Sequence, residues 1–403
     1  MTNGARTRTP VPPRAWVMLA IGVAAQAAGT VFVSTPAFLI PLLHSEHGLS
    51  LSQAGTLAAA PTFGMVLTLV AWGAAADRFG EKWVISSGLA LTAIAAVAAM
   101  LTNDYALLGV AFLLGGMAAA STNAASGRVV IGWFPKDRRG LAMGIRQMSQ
   151  PLGVTIASLT VPHLASSAGI SSAVAFSLAL NGILALVAVA ALVNPPRTNA
   201  PAATAATALT PTNPYRADSF LWRIHLSSAL LVFPQFTLST FGLVWLINEQ
   251  HLSATLAGLL IGLSQFIGAL GRIVVGVWSD RVGSRVGPLR LVSASAAVVM
   301  LAMAFADSAP WGIPALALVI ATTVSVADNG LAFTSVAEAS GPQWQGKALG
   351  AQNTGQFIAA SAVGPVVGAL IGAVGYPIAF AVVAAFPAVA IPLVPEHDQD
   401  VSI

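Results

Sequence analysis

The 403-residue chain has no cysteine, three tyrosines, six histidines and only 8% charged residues. Without cysteine there can be no disulfide, thiolate metal site, iron–sulfur cluster or cysteine nucleophile. A soluble domain carries about 25% charged residues, so this chain cannot cover a water-facing surface. Disorder is excluded as well, because it needs low hydrophobicity and high charge. Here 56% of residues are hydrophobic and the mean hydropathy is +0.80. The histidines show no HExxH or paired-ligand spacing, and there is no phosphate loop of the G-x-x-x-x-G-K-[ST] type. An ATP-driven pump or a membrane enzyme therefore finds no support, and no metal or cofactor is expected. The remaining class is an all-α polytopic membrane protein.

The net charge is +4 with a pI near 10.0. Such a balance raises nucleic acid as a partner. The basic residues, however, fall in short clusters between apolar runs, which points to the lipid bilayer and not to nucleic acid.

A spanning helix needs roughly 20 mostly apolar residues, and the charge-free runs supply them. Arg14 to Glu46 encloses 31 residues without Asp, Glu, Lys or Arg, and Glu46 to Asp77 encloses 30. Lys82 to Asp104 encloses 21, Asp104 to Arg128 encloses 23, and Arg146 to Arg197 encloses 50. The last run holds two spans with a turn at Ser166-Ser167-Ala168-Gly169. The second half repeats the scheme, and its 48-residue run after Lys347 divides at Gly372–Pro377. The spans are expected near 16–43, 53–76, 84–102, 106–133, 140–165, 172–193, 220–248, 254–279, 289–306, 311–337, 347–372 and 377–394. Long apolar runs without dyad alternation are not barrel strands. The chain thus divides into an N-terminal six-helix bundle (1–193), a linker (194–219) and a C-terminal six-helix bundle (220–403). The linker is rich in Pro, Thr and Ala, and its prolines block helix continuation.

Lys and Arg set the orientation. With the N-terminus inside, 15 of the 18 basic residues lie on the cytoplasmic side, and the other three, Arg128, Arg146 and Arg272, fall within helices. No outer loop contains Lys or Arg, so both termini are expected to be cytoplasmic and the chain to lie in the cytoplasmic membrane. The first apolar run is too long for the core of a signal peptide.

The two halves are related. Glu46-x-x-Leu49-Ser50-x-x-x-Ala54-Gly55 matches Glu249-x-x-Leu252-Ser253-x-x-x-Ala257-Gly258, and Gly73-x-x-x-Asp77-Arg78-x-Gly80 matches Gly276-x-x-x-Asp280-Arg281-x-Gly283, both at an offset of 203. Asn123, Gly140, Ala142, Gly144 and Gln150 match Asn329, Gly346, Ala348, Gly350 and Gln356 at an offset of 206. Two parallel six-helix repeats are a recurrent transporter plan. The loops GAAADRFGEK and GVWSDRVGSR resemble the signature of the major facilitator superfamily and its second-half counterpart. The resemblance covers nearly the whole chain. It implies a V-shaped carrier of two pseudo-symmetric halves, with a central cavity and rocker-switch alternating access. It also implies that Asp77 faces the start of the eleventh span and Asp280 the start of the fifth, latching the cytoplasmic side shut. Physically, an acid suits the positive N-terminal end of a helix, and Gly73 and Gly276 permit close helix approach. The superfamily's drug/proton antiporters often carry an early Arg in the fourth span. None stands before Arg128, and Pro151-Leu152-Gly153 is a poor match to their fifth-span pattern. Gly364-Pro365-x-x-Gly368 occurs in the eleventh span instead.

Charge inside a membrane costs about 2.5–3.5 kcal/mol at a helix centre and marks a functional site by default. Arg272 lies about 12 Å from the cytoplasmic end of its helix, close to the midplane. The setting Gly271-Arg272-x-x-x-Gly276 resembles the oxalate/formate and monocarboxylate carriers, where the Arg contacts a substrate carboxylate; the alternative is a snorkelling Arg. Arg128 and Arg146 lie about 9 Å inside their helices. Snorkelling suits Arg128, whereas Gln147 and Gln150 extend a polar stripe inward from Arg146. Asp328 is the one acid placed deep in a span. It either carries a proton, which leaves proton coupling open, or forms a fixed ion pair with a buried Arg. Neutral polar residues complete the expected cavity. They are Gln26, Thr30 and Ser34 on one face of the first helix, Asn123 with Ser121 and Thr122, and Gln235 with Ser239 and Thr240. Gln265, Asn329, Gln352, Asn353 and Gln356 join them, and some serve as interhelical glue. Eight tryptophans near span ends read as interfacial anchors.

The excess of buried Arg over acid, in a cavity expected to be poor in aromatics, suggests a monomeric carrier of a small organic anion. The competitors are a drug/proton antiporter and a non-transporting membrane receptor or regulator. Reporter fusions at Ser45 and Asn194 are expected to report opposite sides of the membrane; the same side at both would overturn the topology.

Overall fold

The computed structural model describes residues 11–135, 142, 145–195, 213–306, 309–310 and 312–399. All regular structure among the described residues is helical. The N-terminal half holds α1 (Pro13–Phe38), α2 (Ile40–Ser45), α3 (Leu51–Phe79), α4 (Glu81–Met100), α5 (Tyr105–Trp133) and α6 (Ser149–Ala191). After the short α7 (Pro214–Ala217), the C-terminal half holds α8 (Phe220–Asn248), α9 (Ala254–Val282), α10 (Val286–Ala306), α11 (Ile313–Ser325), α12 (Asp328–Ala339) and α13 (Gly341–Leu393).

Among the described residues ten stretches are long and apolar enough to cross a membrane, and two of them, Ile145–Ala191 and Lys347–Leu393, have 47 residues each. At 1.5 Å per residue, 47 residues would extend about 70 Å, more than twice the hydrocarbon core. Each is interrupted by one glycine, Gly169 at φ 80° and Gly375 at φ 78°. L-residues avoid this region, so glycine supplies the turn between two spans. Both breaks fall in the turns expected from sequence, which is consistent with twelve spans.

The repeat is written into the backbone. Gly80 and Gly283, at φ 87° and 68°, end α3 and α9 at equivalent places. Gly48 and His251, at φ 70° and 55°, form another pair 203 residues apart. Ser50 caps α3 through a reciprocal box with Gln53, and Ser253 caps α9 by accepting from the Leu256 amide.

The tenth span, Ile313–Ala339, is interrupted by a turn at Val326–Ala327, between α11 and α12, whose two residues stay in the right-handed region. Just before the turn, Thr323 and Ser325 bond back to the carbonyls of Val319 and Thr322 at 2.8 and 3.1 Å. Such back-bonding competes with the ladder and bends helices.

The described ends of α1, α6, α8 and α13 define a terminal face, and the turns after α2 and α8 define a distal face. The halves close on one another toward the distal face. A Cβ on Gly55 would sit 2.1 Å from the Gly364 carbonyl oxygen, and one on Gly364 would sit 2.0 Å from the Gly55 carbonyl oxygen. The repeat-related crossing brings Gly258 against Ser158, where a Cβ would stand 2.2 Å from the carbonyl oxygen. Ser52 Oγ donates to the Pro365 carbonyl and Thr155 Oγ1 to that of Gly262, each at 3.3 Å. Trp245, expected at the membrane interface, belongs instead to a core cluster with residues of both halves. It is fully buried and meets Phe380 edge-on at 5.7 Å.

Residues 196–212 of the expected linker lie outside the described residues, as do Trp311 and the side chain of Asp77. The linker's two described ends are held. Asn194 Oδ1 accepts from the Lys82 amide at 2.8 Å. Pro214–Ala217, expected to be unstructured, makes a helical turn whose Tyr215 stacks on His225 with ring centroids 5.7 Å apart.

Because the native chain lacks cysteine, a single introduced thiol reports cleanly. Gly55→Ala is expected to force α3 from α13 and to speed thiol labelling of Thr62→Cys several-fold in detergent. An unchanged rate would show that this crossing is not the seal.

Candidate functional site

Between the halves lies a cleft of two connected chambers. The wide one, about 980 Å³, reaches toward the terminal face past Gln147, Thr334, Ala337 and Glu338. The narrow one, about 110 Å³, runs toward the distal seal past Thr30, Ser34, Phe38, Thr62 and Gln265. Gln26, Asn123, Gln150, Gln235 and Arg272 line both and so form the neck. The neck draws on α1, α5 and α6 from one half and on α8 and α9 from the other.

Arg272 is fixed by one contact. Its Nε donates at 3.1 Å to the carbonyl of Val326, which sits at the turn in the tenth span. Its two terminal nitrogens have no hydrogen-bond partner among the described residues and lie in the neck. Asp328 opens α12 just behind this carbonyl. It is 2% exposed, lines neither chamber, and its Oδ1 has no hydrogen-bond partner among the described residues. It acts on Arg272 electrostatically, with no ion pair within 4 Å. Asp328 was expected in the binding wall; its side chain is instead buried outside the cleft.

Arg146 is held by four hydrogen bonds to neutral acceptors. Nε donates to Ser126 Oγ at 3.0 Å and Nη1 to Gln147 Oε1 at 3.2 Å. Nη2 donates to the carbonyl of Asn123 at 3.0 Å and to its Oδ1 at 3.1 Å. On the other half, Gln356 Nε2 donates to Asn329 Oδ1 at 3.1 Å, and Asn329 Nδ2 to Gln235 Oε1 at 3.0 Å. Asn329, Asn353 and Gln356 line the wide chamber as expected.

Gln352 does not. It is 1% exposed and bonds through Oε1 to His225 Nδ1. His225 also meets the Tyr215 hydroxyl at 2.9 Å. The sequence reading passed over His225. The repeat carried a signal, since Gln352 occupies the place of Arg146 and His225 that of Gly22, whose missing side chain leaves open space. The cleft is also less poor in aromatics than expected, with Phe38, Phe236, Phe333 and Phe357 in its walls.

At the terminal face the Asp77 side chain and most of the start of the fifth span, which Asp280 was expected to face, lie outside the described residues. Asp280 pairs with Arg285 of its own half at 2.5 Å, and Arg285 also holds Glu338 at 3.2 Å. Asp398 anchors this loop, accepting from the amides of Arg285 and Val286 at 2.8 and 3.0 Å. Arg128 pairs with Glu81 at 3.2 Å instead of snorkelling. Gly73 and Gly276, expected at close helix approaches, have no neighbour within 4 Å of a Cβ among the described residues. Arg78 and Arg281 are exposed.

Two repeat-related helical halves enclose a polar cleft in an all-helical protein with spans long and apolar enough to cross a membrane. The chain belongs to the Major Facilitator Superfamily, whose family model matches residues 18–364. A Mycobacterium tuberculosis protein described as an uncharacterized MFS-type transporter is 44% identical over 380 residues, covering 94% of this chain and 84% of its own. A protein of Oryza sativa subsp. japonica named probable anion transporter 3, chloroplastic, is 31% identical over 159 residues, 38% of this chain and 29% of its own. The solved bacterial homolog of the human lysosomal transporter Spinster, inward-facing and unoccupied, superposes with a TM-score of 0.79 at 16% identity, covering 95% of this chain and 97% of that one.

Arg285→Ala is expected to free Asp280 for the opposite half and to slow thiol labelling of Thr334→Cys at the terminal-face mouth several-fold. Labelling at the wild-type rate would show that the Arg285 clamp does not hold the cleft open.

Proposed function

We propose that the chain is a secondary active transporter that carries a small organic anion across the cytoplasmic membrane by rocker-switch alternating access. In this reading both termini are cytoplasmic and the structure is the inward-facing state. One observation carries it: Arg272 stands in the neck with Nε fixed and both terminal nitrogens unpartnered. A guanidinium so placed offers two parallel donors to a carboxylate. Asp328, behind the wall, balances its charge when the site is empty. An arriving anion competes for that balance, and this gives Asp328 a proton-coupling role. The plant relative named an anion transporter agrees with this substrate class.

A drug/proton antiporter for cationic compounds finds less support. Glu338, in the mouth of the cleft, is tied to Arg285, and Asp328 is out of the wall. A receptor or regulator would show no solute flux in proteoliposomes.

The test is a carboxylate panel, from acetate to citrate, in a thermal-shift assay on purified protein, followed by flux. Arg272→Lys keeps the charge but loses the fork, and is expected to weaken the best ligand about tenfold, or ~1.4 kcal/mol. Unchanged affinity in both Arg272→Lys and Arg272→Ala would remove Arg272 from the site. In the Arg272→Ala/Asp328→Asn double variant a non-additive effect is expected; strict additivity would argue against the coupling.

A further inference from the structure

The amides of the N-terminal half are not free to present either end to the cleft. Arg146 can only donate, so Asn123 and Gln147 must turn their side-chain oxygens toward it. Ser126 accepts from Arg146 Nε, so its single hydroxyl proton goes elsewhere, and it donates to Gln26 Oε1 at 2.8 Å. The relay from Arg146 through Ser126 therefore fixes Gln26 as well. All three oxygens are occupied, those of Gln26 and Asn123 inside the wall and that of Gln147 at its exposed edge. The ends left over on Gln26, Asn123 and Gln147 are N–H₂ donors, and all three residues line the wide chamber. Gln26 and Asn123 also line the neck, which Arg272 reaches from the other half. Arg146 itself makes no ion pair among the described residues, so its charge is expressed through these neutral groups.

The C-terminal half lacks this device. Gln352 stands at the repeat position of Arg146 and is committed to His225. Among the described residues the amide chain Gln356–Asn329–Gln235 there makes no hydrogen bond to a cation that would set its direction.

We propose that Arg146 is a positioning residue that converts Gln26, Asn123 and Gln147 into a bank of N–H donors. The ligand is then an anion with acceptor oxygens at both ends. One carboxylate lies on Arg272, and a second carboxylate or an oxo or hydroxy group meets the donor bank. This rests on the organic-anion reading and narrows it. An aliphatic monocarboxylate would leave these donors, of which Gln26 is buried and Asn123 half-buried, without an acceptor on the ligand, and a site built to hydrogen-bond a group rejects the analogue that lacks it.

The experiment compares succinate with butyrate, matched in carbon number, by calorimetry on purified full-length protein. Wild type is expected to bind succinate at least tenfold tighter. Arg146→Gln is expected to bring the ratio to about one. A structural role for Arg146 would weaken both ligands together and leave the ratio intact, which would overturn its positioning role. Arg146→Lys, which restores a cationic donor, is expected to recover part of the ratio. Gln26→Glu keeps an oxygen for Ser126 but turns the free end from donor to acceptor, and is expected to bring the ratio below one. This variant carries the test if Arg146→Gln does not fold. Equal binding of succinate and butyrate by wild type would overturn the donor bank and leave the organic-anion reading standing. Binding of neither, with no response across the wider carboxylate panel, would overturn both.

Discussion

The structure depends on two backbone crossings that require glycine. Gly55 meets Gly364, and Gly258 meets Ser158, at distances that a Cβ on either glycine would violate. These crossings tie α3 to α13 and α9 to α6, so each links one half to the other near the distal face. In lipid every backbone polar group must be satisfied within its own helix, which keeps the halves stiff. Stiff halves clamped at one end separate at the other. The cleft accordingly widens away from these crossings, toward the terminal face.

Charge is placed where this geometry admits water. Arg272 and Arg146 both face the cleft, and each is steadied by neutral oxygens: a carbonyl at a turn between helices for one, and a hydroxyl and two amides for the other. A cation held by neutral acceptors keeps its charge available, whereas one paired to a carboxylate does not. Arg128 shows the contrast, since Glu81 binds it at the helix end. Asp328 follows the turn in the tenth span, where an interrupted helix is tolerated because it borders a cavity.

The repeat sets positions and leaves chemistry free. Positive-φ turns, serine caps and small-residue crossings recur in both halves because they are backbone requirements. Side chains at the same places diverge: Arg146 against Gln352, and Gly22 against His225. The cleft is therefore polarised, with an organised donor wall on one half and a guanidinium fork on the other. Symmetric hinges can thus move an asymmetric site.

Composition and charge by themselves determined the membrane class, the spans and the repeat, because a bilayer accepts only long apolar helices and the loops collect the basic residues. The turns at Gly169 and Gly375 were legible because breaks in such runs need glycine. The neck residues Gln26, Asn123, Gln150, Gln235 and Arg272 were legible because polar groups in a span must face protein or water. Tertiary structure alone decided which polar groups reach the cleft. Asp328 and Gln352 have the same sequence signature as Asn329 and Asn353, yet they turn into the bundle. It also decided that Trp245 is buried in a core cluster with residues of both halves instead of anchoring in lipid, and that close approach falls at Gly55 and not at Gly73 among the described residues. The reason is physical. Lipid and protein interior are equally apolar, so a helix in a membrane carries little amphipathic pattern to tell which face meets which neighbour.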